Sequence, residues 1–347
     1  MRVTLQAIAD DLGLSKFAIS RALSGKPGVS EQTRRLVARR AEELGYLGRA
    51  ARTKVPTIEI VFHDWDIANS ELWASVQRGA QLEAARRGYD TVVRWTKDHR
   101  IVAELARSAG GFVLIGPHDQ AMIEAVHATG VRAVALGGRP VPLDTIDRIS
   151  TADAEAGAFV GNFLHGLGHR HMLYVHGEAG RYGRLERLRG FQDTLAGLAG
   201  TTLRELAFDE TIGEPAFRDE FVRILDEGKP PSAIFCGNDG VAVTVISQLL
   251  RRGVRVPEDI SVVGFADYAS AMQISPNLTT IRMPSHEIGA TAVQLLLARL
   301  AEPAGQPRPP AQRIMLVQRL IERQSTGPAA STAWSRRFNS MSDRLTA

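Results

Sequence analysis

Apolar positions near the start of the chain recur at i, i+3, i+4 and i+7, and Leu5, Ile8, Ala9 and Leu12 form one helical stripe. Thr4 precedes the stripe as its N-cap, and Gly13 closes it, because glycine enters the left-handed turn without a Cβ penalty. Ser15 opens a second short helix over Lys16–Leu23, which Ser24-Gly25-Lys26-Pro27-Gly28 ends. Ser30 opens a third, running to Leu44 with Thr33, Val37, Ala41 and Leu44 along one side. Three short helices with a tight turn between the first two make a helix-turn-helix unit. From Thr57 onward the pattern changes. Short apolar runs (Ile58–Phe62, Thr91–Val93, Phe112–Ile115, Ala133–Leu136, Met172–Val175, Ala233–Phe235, Ser261–Phe265) alternate with helical stretches such as Leu72–Arg87, Asp153–Leu167, Leu185–Leu195, Asp239–Arg251 and Glu287–Arg299. Strand-helix alternation predicts parallel sheets with helices on both faces. The strands are too many for one ordinary sheet, so two lobes are expected. The predicted class is α/β with an N-terminal all-α module.

Composition narrows the setting. The chain has 347 residues, 44% hydrophobic and 23% charged, which is ordinary globular usage. A single cysteine, Cys236, excludes a disulfide framework and a cysteine-based zinc site. No apolar run approaches the roughly 18 residues that a membrane helix needs. Asp10 and Asp11 fall where a signal peptide would be apolar, so a reduced, cytoplasmic protein is expected. Charge is uneven: residues 1–54 hold 11 Lys/Arg against 5 Asp/Glu, a net of +6, whereas the remainder carries −2. A basic head on a near-neutral body points to a polyanion partner at one end.

The second helix divides by face. Ile19, Ala22 and Leu23 point inward, and Lys16, Phe17, Ser20 and Arg21 share the other side. That set suits the major groove of double-stranded DNA. Arg21 can donate two hydrogen bonds to guanine, Lys16 can donate to guanine or phosphate, and Phe17 offers an apolar face to a thymine methyl. Ser15, Ser20 and Thr4 suit phosphate oxygens, which position without specifying. The competing placements are Phe17 folded back onto the small core and Arg21 as a solvated surface charge.

Residues 3–46, VTLQAIADDLGLSKFAISRALSGKPGVSEQTRRLVARRAEELGY, closely resemble the head of the lactose-repressor (LacI/GalR) family of bacterial regulators. The resemblance implies base contacts from Lys16, Phe17 and Arg21 and phosphate contacts near Thr4, Ser15 and Ser20. After Tyr46 the chain departs from the family. The stretch Leu47–Pro56 is shorter, lacks the usual Pro-Asn start, and has no leucine after Leu47. In the family that leucine wedges a base step in the minor groove, as apolar wedges do. Ala50 and Ala51 are too small for this, so the linker is expected to contribute charge through Arg49 and Arg52 and little wedging. A plain flexible tether is the alternative.

The resemblance continues through ARRGYDTVV (85–93), LGHRHMLYVHG (167–177), RLERLRGF (184–191), PSAIFCGNDGVAV (231–243), RRGVRVPEDISVVGFAD (251–267) and PNLTTIRMP (276–284). It implies a two-lobed, periplasmic-binding-protein-like (type I) body whose lobes are joined by three crossings, expected near Ile149–Ala152, Ile281–Pro284 and Arg308–Ile314. The expected layout is a DNA-binding domain at 1–46, a hinge at 47–56, an effector-binding and dimerisation domain at 57–325, and a tail at 326–347. One lobe takes about 57–149 plus 284–310, the other about 152–281 plus 313–325.

The resemblance also places an effector between the lobes. Arg187 matches an arginine that binds effector oxygens, and Asn238 matches a ligand-contacting Asn. His63 and Asp64 follow the first strand, Asp153 starts a helix after the first crossing, and Asp267 follows Gly264-Phe265-Ala266. Carboxylate and amide oxygens accept from hydroxyls, Arg187 donates, and Trp65 or Trp73 can stack on a sugar face. This chemistry suits a polyhydroxylated ligand. For Arg187 the alternative is an interlobe salt bridge, and for the tryptophans core packing. Ala266 stands where the family commonly has an aspartate that binds effector, so Asp64, Asp209 or Glu210 is left to compensate, or the ligand is less polar.

Other chemistry is thin. There is no phosphate-binding G-x-x-x-x-G-K-[ST], no dinucleotide fingerprint and no nucleophile elbow. His169 and His171 look like a metal pair but match a family strand start, and Cys236 lies in a predicted core strand. No cofactor and no metal are expected. Residues after Gly327 carry no leucine heptads for a coiled coil. The expected function is a sequence-specific repressor: a homodimer on a near-palindromic operator, controlled by a carbohydrate effector. Alternatives are a regulator with another effector or none, a nucleoid-type binder, a solute-binding protein and an α/β enzyme.

Overall fold

The computed structural model describes residues 4–24, 26–44, 56–63, 70–177, 181–208, 214–226, 229–303 and 307–330. Arg49, Arg52, Asp64, Trp65, Asp209, Glu210 and residues 331–347 lie outside that set. Packing divides the chain into two compact units, with the boundary in the sequence between Pro56 and Thr57.

The first unit is three helices: α1 (Leu5–Leu12), α2 (Lys16–Leu23) and α3 (Glu31–Glu43). The caps are those the sequence dictates. Thr4 Oγ1 accepts from Ala7 N–H at 3.2 Å, Ser15 Oγ from Ala18 N–H at 3.1 Å and Ser30 Oγ from Thr33 N–H at 3.1 Å. Gly13 ends α1 at φ +63°. Ile8, Ala9, Ile19, Ala22, Val37 and Ala41 form the core. Arg40 on α3 grips Asp11 on α1 with two parallel hydrogen bonds, which hold the Asp11 carboxyl below its ordinary range.

The second unit contains two six-stranded sheets. The first comprises β1 (Thr57–Phe62), β2 (Asp90–Trp95), β3 (Ala109–Ile115), β4 (Ala133–Leu136), β5 (Asp147–Thr151) and β11 (Arg313–Leu316), in the order β11-β5-β4-β3-β1-β2. The second comprises β6 (His171–Val175), β7 (Thr202–Leu206), β8 (Ala233–Cys236), β9 (Ser261–Ala266), β10 (Thr279–Arg282) and β12 (Arg319–Ile321), in the order β12-β10-β9-β8-β6-β7. All pairings are parallel except β10 with β12.

The inner strands are apolar on both faces because helices cover both. In β1, Ile58, Ile60 and Phe62 join the core shared with α4 (Ser70–Arg86) and α12 (Ser285–Leu300), and Val61 joins the one shared with α5 (Val102–Leu105) and α6 (Gln120–Thr129). In the second lobe α7 (Asp153–Gly166) and α8 (Tyr182–Ala196) cover one face. The other is covered by α9 (Glu214–Asp226), α10 (Asp239–Arg251) and α11 (Ser270–Gln273).

Three crossings join the lobes. The first follows β5 into α7, and the second leaves β10 through Met283-Pro284 into α12. The third corrects the sequence expectation. Residues 313–316 belong to the first lobe, as β11 paired with β5, so the crossing is Val317–Gln318 rather than Arg308–Ile314. The proline-rich stretch resembles a linker but only returns the chain to the sheet edge. The strand after it is half exposed and lacks the apolar density of an inner strand. Asp147 secures this return: its carboxylate accepts from Arg299 Nε and Nη2 at 2.7 and 2.8 Å and from Gln312 N–H at 2.7 Å.

His169 is a core residue. Its Nδ1 meets the Ser232 hydroxyl at 3.1 Å, and its Nε2 meets the Ser261 hydroxyl at 3.0 Å and the Gly327 carbonyl at 3.1 Å. Burial lowers its pKa to about 4, so the ring is neutral near pH 7. His171 Nδ1 pairs with the Thr202 hydroxyl.

Candidate functional site

On α2, Ile19 and Ala22 are buried, and Lys16, Phe17 and Ser20 are exposed. Phe17 is 68% exposed, which removes the reading in which it folds back onto the core. Arg21 lies beside it, with its guanidinium carbon 5.0 Å from the ring centroid and its flank along Gly28, where φ is +102°. Among the described residues the Arg21 side chain makes no hydrogen bond or ion pair, and its buried Nε lacks an acceptor. A guanidinium whose Nη groups make no hydrogen bond among the described residues, next to an exposed aromatic, is chemically suited to a base edge. Thr4 and Ser15 use hydroxyl lone pairs for capping, which leaves each O–H proton able to reach a phosphate oxygen.

In the second unit the structure brings Asp153, Arg187 and Asn238 close together at the carboxyl ends of the β6, β8 and β9 strands. Arg187 Nε donates to Asp153 Oδ1 at 2.7 Å and to the Gly183 carbonyl at 3.1 Å, and Nη1 donates to the Gly237 carbonyl. The guanidinium lies 3.5 Å from the centroid of Phe265. Thr151 donates its hydroxyl to Asp153 Oδ2 at 2.6 Å. Asp153 and Arg187 belong to the same lobe, so the pair is not an interlobe bridge. Among the described residues Nη2 of Arg187 makes no hydrogen bond and remains a donor for a ligand. Asn238 is 2% exposed, and its Oδ1 caps α10 by accepting from Val241 N–H at 2.8 Å.

In the first lobe, His63 follows β1, and its N–H donates to the Ile115 carbonyl. Trp73 is half-buried against the first lobe's core, near Gly137. Asp267 accepts from Arg282 and Arg323.

A cavity of about 210 Å³ lies between the lobes, lined in part by Glu71, Leu72, Ala266, Asp267, Arg282 and His286. Of the described residues expected to bind effector, Asp267 alone lines it; Arg187 and its partners form a separate cluster. Ala266 is on the cavity wall and supplies no side-chain acceptor.

Four features were not foreseen. His118 follows β3 as His63 follows β1, and the two rings meet edge-on at 5.4 Å. Its Nε2 donates to the Val61 carbonyl at 2.9 Å, its Nδ1 finds no partner, and burial lowers its pKa to about 4. The position of His118 just after an apolar strand run was a usable signal. Arg139 of the first lobe lies over the Tyr182 ring of the second at 5.7 Å. Glu71 Oε1 accepts from Ala269 N–H across the cleft at 2.8 Å. Neither contact leaves a trace in sequence spacing.

Asp239 is the fourth. It is fully buried and accepts from Tyr268 N–H and from the Thr280 hydroxyl, each at 2.6 Å. Burial raises its pKa to about 6. The native state then holds a proton that the unfolded chain has released between about pH 4 and 6, so this residue makes stability fall as pH rises through that window. Asp239→Asn should flatten that component, changing the parent-minus-variant difference by about 2–3 kcal/mol between pH 4 and 7. Urea unfolding at a series of pH values measures it, and parallel pH profiles for parent and variant would contradict it.

Residues 162–326 match the periplasmic binding protein-like domain family. The chain is 28% identical to the HTH-type transcriptional regulator CelR of Thermobifida fusca, an alignment covering 93% of this chain and 98% of the relative. A solved CelR–cellobiose complex is similar with TM-score 0.68 and 26% identity, covering 93% of this chain and all 100% of that one. A LacI family transcriptional regulator from Enterococcus faecium with bound ribose is similar with TM-score 0.66 and 25% identity, covering 78% of this chain and 99% of that one.

Proposed function

We infer that this chain is a LacI-family regulator: a sequence-specific DNA-binding repressor whose operator affinity is set by a small molecule held between the two lobes. The observation that carries the reading is the α2 surface, where Phe17 is exposed and the Arg21 guanidinium, beside the Phe17 ring, makes no hydrogen bond or ion pair among the described residues. Lys16, Phe17 and Arg21 read bases, and Thr4, Ser15 and Ser20 hold phosphates. Arg49 and Arg52 add charge in the linker without a wedge, and an operator complex sharply kinked by residues 47–56 would contradict that. The protein acts in the cytoplasm as a homodimer, which sets two reading helices on half-sites about one DNA turn apart. It performs no catalytic step.

The effector is a carbohydrate or a sugar derivative. Its relatives in complex with cellobiose and ribose support that class. So do an arginine oriented by a carboxylate and the half-buried ring of Trp73. Asp153, Arg187, Asn238, His63, Trp73, Asp64 and Trp65 are the residues assigned to it. Ala266 favours a second reading, an effector with fewer hydroxyls on that side.

A melting-temperature screen of sugars and other metabolites tests the effector class, since a ligand of the folded state raises the midpoint. At least one carbohydrate is expected to raise it and to change operator affinity. Linkage requires the operator to change affinity for that carbohydrate by the same factor. A set of active compounds without a carbohydrate would overturn the assignment.

A further inference from the structure

The segment Ala266–Ala269, between β9 and α11, is tied down on four sides. Ala266 and Asp267 both have positive φ, +111° and +59°. Residues with a Cβ rarely adopt this conformation, and two in succession persist only where the surroundings over-determine them. Asp267 is 8% exposed, and both its oxygens are engaged. Oδ2 accepts from Arg282 Nε, and Oδ1 accepts from Arg323 Nη2 at 2.6 Å. Arg282 is the last residue of β10, directly before the second crossing, and Arg323 lies just beyond β12, after the third. Tyr268 N–H donates to Asp239, which also accepts from Thr280 on β10. Ala269 N–H donates to Glu71 of the opposite lobe. One short segment therefore lines the cavity, holds the second-lobe ends of two crossings and reaches across the cleft.

We propose that Asp267 is a positioning residue for allosteric coupling and not an effector ligand: its carboxylate clamps Arg282 and Arg323, fixing the directions in which two crossings leave the second lobe. A molecule in the cleft that displaces Ala266 or Tyr268 moves the lobes through this clamp. The inference rests on the regulator reading above.

The test uses the full chain with nitroxide labels at Ala128→Cys on α6 and Ala196→Cys at the end of α8, both exposed positions in opposite lobes. Cys236 is fully buried and stays unlabelled. Asp267→Asn removes the charge at a residue type that tolerates positive φ, which separates the ionic clamp from backbone strain. Arg282→Gln, at a side chain 41% exposed, breaks one bridge and keeps the test alive if the first variant does not fold.

The parent should give one narrow interlobe distance population. Asp267→Asn should broaden it at least twofold and lower the urea midpoint, since it breaks a buried ion pair, and Arg282→Gln should broaden it less, with a midpoint close to the parent's. Unchanged distance distributions would overturn the clamp, whereas a purely structural role would move the midpoint and not the distances. A parent that binds no duplex would instead overturn the regulator reading, and the distances would still decide the clamp.

Discussion

Gly289→Ala should lower the stability of the body by about 2–3 kcal/mol. A Cβ built at Gly289 on α12 meets the Val76 carbonyl oxygen at 1.9 Å and Ala80 N at 2.7 Å, both on α4. The reverse contact exists too: a Cβ at Gly79 on α4 meets the His286 carbonyl oxygen at 2.0 Å. The two helices thus touch backbone to backbone through glycine faces, and no rotamer change relieves the clash. Alanine gains about 1 kcal/mol of helix propensity over glycine. Forcing apart α4 and α12, which share the first lobe's largest core, outweighs it, since overpacking typically costs about 1–3 kcal/mol and sometimes more. Urea unfolding measures the loss, and a midpoint equal to or above the parent's would show that the helices separate freely. The second lobe repeats the device: a Cβ built at Gly157 would meet the Arg187 carbonyl oxygen at 2.0 Å, and one at Gly190 the Ala154 carbonyl oxygen at 1.9 Å. The α7–α8 contact that carries Asp153 and Arg187 is therefore equally intolerant of a methyl group.

Arg21→Ala should weaken binding to the protein's operator by about 1–3 kcal/mol, roughly ten- to a hundredfold, and relax selection at one base pair. The folded state loses little, because Arg21 makes no hydrogen bond or ion pair among the described residues and the unit's core is made by Ile8, Ala9, Ile19, Ala22, Val37 and Ala41. Arg21→Lys should recover little of the specificity, since an ammonium is a point donor without the planar fork. Anisotropy titrations on the operator, and on duplexes altered one base pair at a time, report both effects. Equal losses on every duplex would mean that Arg21 touches only phosphate.

Much of the architecture was legible because the strongest signals are local. The inner strands β1, β3, β4, β6, β8 and β9 are short, mostly apolar runs, and the small unit announces its helix starts through Thr4, Ser15 and Ser30. Strands β5 (Asp147–Thr151), β7 (Thr202–Leu206) and β11 were not legible. β5 and β7 carry charged residues, and β11 alternates exposed and half-buried positions, so none shows the apolar density of β3 or β8. The third crossing was misplaced for the same reason. The glycine contacts escaped because they pair residues far apart in sequence. Asp153 and Arg187 were found through resemblance, but the engagement of Asp267 by two arginines depends on the backbone turn at Ala266, which no spacing encodes.

The most direct test of the central claim is selection of duplexes from a random-sequence pool by the purified full-length chain, followed by competition titration at fixed salt. The expected result is a near-palindromic sequence bound about a thousandfold or more tighter than random duplex, with half-sites about one helical turn apart. A pool that shows no enrichment, or equal competition by every duplex, would contradict the assignment of Lys16, Phe17 and Arg21 to base reading.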